Sequence, residues 1–226
     1  MTFSAQLYDE VHTIWQQCAQ HPFLIEMATG TLPKSKYREY MLQDYWYLNE
    51  YIKLYGILIN HSQHLSHTKQ YNEALSELLI EIEYVHLPAM EKLNITPTMI
   101  EVGHPNATNT AYTQFMLNTA RTSDELTGLV ILLNCSWAYA YLAKEVVKHY
   151  PEAVQHALYG EWFQSYVNES YQQNNQQLID QVDALAHHLT VTERNQILTI
   201  FKQCAQYEFA FFESVYTKAE SRDAID

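Results

Sequence analysis

Glycine and proline are scarce, five and six in 226 residues. A β-sandwich or an α/β domain turns its chain often and needs many more such residues, so an all-α domain is expected. Basic residues are scarce too: 13 Lys and Arg stand against 26 Asp and Glu, for a formal charge of −13. A phosphate backbone is gripped by a basic stripe that releases counterions. No run of Lys or Arg provides one, and nucleic acid is not an expected partner. The three cysteines, Cys18, Cys135 and Cys204, form neither a metal-binding spacing nor an even disulfide set. Reduced thiols in a cytoplasmic protein are the expectation. The N-terminal residues lack the basic and apolar regions of a secretory signal, and Asp9 and Glu10 follow directly. The most apolar stretch, Leu126 to Ala143, barely reaches membrane length. It contains Asn134, Ser136, Tyr139 and Tyr141 and is bounded by Asp124-Glu125 and Lys144-Glu145. It reads as a central core helix, with no membrane partner.

With 47% hydrophobic and 17% charged residues, the chain has ample material for a core. No internal repeat or linker divides it, and residues 1–226 read as one helical domain. Helical spacing predicts a first helix from Ser4 to Gln20, with Leu7, Val11, Ile14, Trp15 and Cys18 on one side. A short helix follows His21-Pro22 and ends at Gly30. Pro33 then opens a long helix to about His61. Tyr71 to about Leu93 is a further helix whose apolar side is Leu75, Leu78, Leu79, Ile82, Val85 and His86; Pro88 should kink it. An irregular connection spans about Asn94 to Asn109, and Thr110 to Arg121 is helical again. Thr122-Ser123-Asp124-Glu125 reads as a capping box opening the apolar helix, which runs to about Tyr150. Glu161 to about His188 reads as one long helix whose Gln- and Asn-rich later half is a solvated face. Thr190 and Glu193 form a second capping box, and the last helix runs to about Ala219.

Some residues sit oddly in this pattern. Asp44 shares a helix face with Tyr47, Leu48, Tyr51 and Tyr55, the core-directed side. A buried carboxylate is costly without a partner; a structural ion pair would explain it, and so would a ligand. Glu208 stands among Phe201, Cys204, Phe211, Phe212 and Val215, where desolvation should raise its pKa and suit it to donate a proton. Cys135 and Tyr139 are four apart on one helix face, and Tyr112 and Tyr166 lie on other helices. Each alone reads as ordinary packing. Together, two acids, a thiol and several tyrosines on core-directed faces suggest a polar-lined pocket within a bundle. Metal readings are thinner. His61, His64 and His67 lack an acidic or thiol neighbour. Glu83 and His86 have the Glu-x-x-His spacing of di-iron bundles, with only Asp183 and His187 as a second pair.

His21-Pro22-Phe23, Gly30-Thr31-Leu32-Pro33, Gln43-Asp44-Tyr45-Trp46-Tyr47-Leu48, Thr110-Ala111-Tyr112, Cys135-Ser136-Trp137-Ala138-Tyr139 and Tyr207-Glu208-Phe209 occur in that order. This set resembles the TenA family, the thiaminase II or aminopyrimidine aminohydrolase enzymes, over most of the chain. The resemblance implies a heme-oxygenase-like helical bundle without heme, usually a homotetramer, needing no metal or organic cofactor. It implies catalytic roles for Cys135 as covalent thiolate and Glu208 as acid. It assigns substrate binding to Asp44, Tyr47, Tyr112, Tyr139 and Tyr166. The implied reaction hydrolyses 4-amino-5-aminomethyl-2-methylpyrimidine, and thiamin more slowly, to the hydroxymethyl pyrimidine. Family members carry proline before the thiol where this chain has Asn134. Two other readings stay open: an iron-dependent oxidase on the same fold, and a non-catalytic pyrimidine or thiamin binder.

Overall fold

A computed structural model describes residues 1–218; the expected end of the last helix at Ala219 lies outside them. Among the described residues there is helix and no strand. Eleven α-helices occur there: α1 (Phe3–Ala19), α2 (Pro22–Thr29), α3 (Lys34–His61), α4 (Leu65–Glu81), α5 (Leu87–Lys92), α6 (Pro97–Val102), α7 (Ala107–Arg121), α8 (Glu125–His149), α9 (Gly160–Val167), α10 (Glu169–Leu185) and α11 (Val191–Lys218). The contacts group them into two compact units, one of residues 1–32 and 129–213, the other of 33–128 with the stretch from 214.

In the first unit α1 packs on α2 and α10, and α9 on α10 and on a 3-10 turn at Pro151–Gln155. Leu7, Val11, Trp15, Phe23, Leu24 and Met27 are sealed from solvent, as are Leu129 to Leu133, Phe163, Phe201 and Phe212. The ends of the helices are tied by side chains. Asp183 of α10 accepts the Ser4 backbone N–H at 2.7 Å and its hydroxyl at 2.6 Å, supporting the first turn of α1. The Asp183–His187 metal pair therefore does not form: the carboxylate is engaged, and His187 is exposed. His21 caps α2, its Nδ1 accepting the Phe23 N–H at 3.1 Å. That fixes the ring proton on Nε2, which lies 3.0 Å from the Glu213 carboxylate. Gly30 ends α2 at φ 74°, the left-handed conformation that suits glycine, and a Cβ there would also meet the His156 ring at 2.7 Å.

The helix expected from Glu161 to His188 is broken. Asn168 adopts extended backbone and its side chain accepts the Tyr171 N–H at 2.8 Å, capping α10. Its Asn- and Gln-rich face is not wholly solvated, since Asn175 is buried and accepts the Ser136 hydroxyl at 2.9 Å. The Thr190–Glu193 capping box is formed in both directions, with Thr190 N–H on Glu193 at 2.7 Å and Glu193 N–H on Thr190 at 3.3 Å.

In the second unit α3 packs on α4, α5 and α7. Tyr40, Leu54, Leu58, Tyr71, Met90, Tyr112 and Met116 are buried there. Pro33 stands at the N-cap of α3, one residue before the expected place. The helix expected from Tyr71 begins at Leu65, which makes His67 helical. Its Nδ1 lies 2.8 Å from Glu125, which also accepts the Tyr71 hydroxyl at 2.9 Å. Glu125 is thus engaged, and Asp124 caps α8 instead, accepting the Thr127 N–H at 2.8 Å; the box expected from Thr122 is not made. Residues Ile82–His86 form a π-turn, in which the Leu87 N–H reaches the Ile82 carbonyl. Pro88, which has no N–H to give, follows at the start of α5. Of the apolar side expected for this region, Ile82 is buried and Leu79 and Val85 are exposed, and Ile80, Tyr84 and Leu87 beside them are exposed as well. The irregular connection expected from Asn94 contains α6, and α7 starts at Ala107.

Helix α8 is long and apolar enough to cross a membrane by length and composition, but 78% of its most apolar window is buried inside the protein. It is a core helix, as its sequence suggests.

Candidate functional site

The expected site residues fall into two sets, one in each unit. In the first unit, α8 carries Cys135 and, one turn on, Tyr139. Tyr139 is buried and its ring centroid lies 5.0 Å from Tyr166, 5.8 Å from Trp162 and 6.1 Å from Phe212. Trp162 and Tyr166, four apart on α9, meet edge to face at 4.9 Å. Aromatic rings from two other helices, α9 and α11, thus pack against the phenol that follows the thiol. The three cysteines differ sharply. Cys18 and Cys204 are fully buried, and burial, reinforced by the Glu208 charge, pushes both thiols well above the ordinary range. Both are inert. Cys135 is only partly covered.

Glu208 is 2% exposed on α11. Its charge disfavours the Cys18 and Cys204 thiolates, and it stands on the apolar stripe of α11 with Phe201, Phe211, Phe212 and Val215, all buried. Asn134, the residue before the thiol, is fully buried and its Nδ2 donates to the Phe201 carbonyl at 2.9 Å, while its Oδ1 has no hydrogen-bond partner. Where a proline would bend α8, a side-chain tie to α11 stands instead.

In the second unit, α3 presents Asp44, Tyr47, Tyr51 and Tyr55 on one buried face. The Tyr47 ring lies 5.2 Å from Tyr112 of α7 and 5.7 Å from Tyr51. Its hydroxyl points to the Met116 sulfur at 3.9 Å. The register of α7 on α3 is fixed by groups the sequence reading passed over. Asn109 donates to the Gln43 backbone carbonyl at 2.7 Å and to its side-chain oxygen at 3.1 Å. The Asn106 N–H also donates to that Gln43 oxygen, at 2.9 Å, and Gln43 donates to Glu39 at 3.0 Å. Asn106 caps α7, so the Asn-x-x-Asn pattern both starts the helix and docks it. Tyr112 is the next turn.

Asp44 has a neighbour that helical periodicity had placed on an apolar stripe. His86, on the π-turn, brings Nε2 to 3.8 Å from Asp44 Oδ2 and lays its ring against Tyr45. The distance suits an ion pair, but burial pushes the imidazole down to about 4, so the ring is neutral at pH 7. Glu83 of the Glu-x-x-His pair is exposed. Among the described residues no group of three or more His, Cys, Asp or Glu is placed to hold a metal.

The TENA/THI-4/PQQC family model matches residues 8–218. The chain is 31% identical over 219 residues to the aminopyrimidine aminohydrolase of Halalkalibacterium halodurans, covering 96% of this chain and 97% of that one. It is 27% identical to the aminopyrimidine aminohydrolase of Helicobacter pylori, covering 96% and 99%. Its fold matches a TenA homologue protein from P. horikoshii OT3 with a TM-score of 0.85 at 24% identity, over 96% of this chain and 99% of that one. A domain with a heme oxygenase-like fold from Shewanella denitrificans matches with a TM-score of 0.73 at 14% identity, over 96% and 93%. The chain belongs to the TENA/THI-4/PQQC family.

Proposed function

We propose that the protein is an aminopyrimidine aminohydrolase of thiamin salvage. It hydrolyses 4-amino-5-aminomethyl-2-methylpyrimidine to the 5-hydroxymethyl pyrimidine and ammonia, with thiamin a slower substrate. The observation that carries this reading is the match, end to end, to a relative bearing that activity in its name. The contrast among the three thiols agrees with it, since Cys135 alone is not sealed.

In the proposed reaction the Cys135 thiolate adds to C6 of the electron-poor ring while Glu208 protonates a ring nitrogen. Asp44 holds the 4-amino group, and Tyr47, Tyr112, Tyr139 and Tyr166 bind the ring. The ring, now electron-rich, expels ammonia from the methylene on C5. Water adds to the exocyclic carbon, the ring nitrogen gives up its proton, and the thiolate leaves as aromaticity returns.

The protein is further proposed to act as a homotetramer in the cytoplasm, without nucleic-acid or membrane partners. Exposed Ile80, Tyr84, Val85, Leu87 and Val102 support self-association. The charge of −13 speaks against nucleic acid.

Incubation with the aminopyrimidine and with thiamin, side by side, followed by product chromatography and ammonia assay, tests the reading. Hydroxymethyl pyrimidine is expected from both, faster from the aminopyrimidine. No pyrimidine alcohol from either would overturn it.

A further inference from the structure

The two chain neighbours of Cys135 carry polar side chains that the proposed reaction leaves without a role. Asn134 directly follows the sealed run Leu129 to Leu133 and is itself sealed, where an apolar side chain would pack at lower cost. Its Nδ2 donates to the Phe201 carbonyl of α11 at 2.9 Å, and its Oδ1 has no hydrogen-bond partner. A buried acceptor left unpaired costs free energy, so this amide is kept at some expense to stability. Phe201 and Glu208, seven apart, lie on one face of α11. On the other side of the thiol, the Ser136 hydroxyl donates to Asn175 Oδ1 of α10 at 2.9 Å. The Tyr171 hydroxyl donates to the Ser136 carbonyl at 3.2 Å. Tyr171 and Asn175 are four apart and share a face of α10. One turn of that helix therefore holds Ser136 by both its backbone and its side chain. Tyr171 also meets the Tyr166 ring edge to face at 5.1 Å. All of these residues belong to the first unit.

We propose, resting on the covalent reading above, that Asn134 and Ser136 are positioning residues for the nucleophile: they clamp the turn of α8 that carries Cys135 to α11, the helix of Glu208, and to α10. A single tie would leave that turn free to pivot about it. Ties to two helices, one on each side of the thiol, fix both its rotation and its height along the bundle. The clamp acts through the Cys135 backbone and not on the pyrimidine, so it governs the rate of attack and not the affinity for substrate. Misplacing a reacting group by about 1 Å can cost about 100-fold in rate. This explains why a costly amide stands in a sealed position. A leucine at 134 would fill much the same space without an orphaned acceptor, yet would leave the turn untied to α11.

Three variants test the clamp. Asn134→Leu removes the tie to α11, Ser136→Ala removes the hydroxyl tie to α10, and Ser136→Thr keeps that hydroxyl. Each is compared with native protein for melting midpoint, for kcat and KM of ammonia release from the aminopyrimidine, and for the rate of Cys135 labelling by iodoacetamide. Asn134→Leu is expected to melt no lower than native protein, yet to lose about tenfold or more in kcat with KM within about threefold. Ser136→Ala should show the same split, and Ser136→Thr should return kcat to near the native value. Labelling should move the other way, because a partly covered thiol on a loosened turn is more open to a small reagent: about threefold faster in Asn134→Leu and Ser136→Ala, native in Ser136→Thr. A purely structural role would lower the melting midpoint and leave kcat per folded molecule unchanged. Native kcat in both Asn134→Leu and Ser136→Ala overturns the clamp, and so does labelling that is unchanged or slowed in both. If native protein releases no ammonia, the functional reading falls, and the labelling rates alone decide whether the turn is clamped.

Discussion

At the scale of the residue, three cysteines of one chain are made chemically different by what surrounds them. A thiolate in an apolar, acid-flanked pocket is disfavoured twice, by desolvation and by the Glu208 charge, and this holds Cys18 and Cys204 as inert thiols. Iodoacetamide is therefore expected to label Cys135 in the folded protein and to spare the other two, with labelling slowed by bound aminopyrimidine; mass spectrometry of the peptides reads this directly. Cys135→Ser should fold and bind pyrimidine but lose about 100-fold or more in rate, as the loss of a covalent nucleophile requires. Turnover near the native value in that variant would remove the covalent step. Glu208, 2% exposed, has two competing explanations with opposite forecasts. As proton donor, its replacement by Gln removes most of kcat and flattens the alkaline limb of the pH–rate profile. As a structural acid, the same isosteric change leaves the rate intact and raises the melting midpoint, because a buried charge is gone. Catalysis is the expected outcome.

At the scale of the element, the docking of α7 on α3 depends on a small amide network. Asn109 bridges to both the backbone and the side chain of Gln43, and Tyr112 lies three residues further on α7. Asn109→Ala leaves the Gln43 backbone carbonyl without that donor in a buried place. It should cost about 1–3 kcal/mol in urea unfolding. It should also weaken pyrimidine binding, since that register helps to set Tyr112 against Tyr47. A variant as stable as the native protein would show that the network is dispensable. The π-turn before Pro88 acts in the same way on the other side of Asp44. It accommodates the residue that lacks an N–H and in doing so turns His86 toward α3.

At the scale of the whole molecule, His86 links the site to acid stability. Its pKa falls from an ordinary 6.5 to about 4 in the folded protein. The unfolded chain therefore binds a proton here between those values and the folded chain does not. Stability is complete above pH 6.5 and is lost as pH falls toward 4, by up to about 3 kcal/mol at 1.36 kcal/mol per unit. Melting midpoints measured from pH 7 to pH 4 should fall less steeply in His86→Asn than in the native protein. The exposed apolar side chains of α4, the π-turn and α5 make a second forecast at this scale. Light scattering should report a tetramer for the native protein and a smaller species for Ile80→Glu combined with Tyr84→Lys.

Composition and helical spacing alone determined that the chain is all-helical, that α8 is its apolar core helix, and that Asp44 and Glu208 are acids on buried faces. These are local properties: few turn residues, a 3.6-residue period, a charge within an apolar stripe. The ordered motifs added the family, because their joint spacing is far more specific than any one of them. What the sequence could not decide was which polar groups meet. It offered Asp183 to His187 as a metal pair, whereas Ser4, 179 positions away, takes the carboxylate. It offered Glu125 to a capping box, whereas His67 and Tyr71 hold it. It placed His86 on an apolar stripe, because a regular 3.6-residue count cannot foresee the extra residue of a π-turn. Hydrogen-bond partners remote in the chain are chosen by packing, and only the tertiary structure shows that His86 faces Asp44 at 3.8 Å.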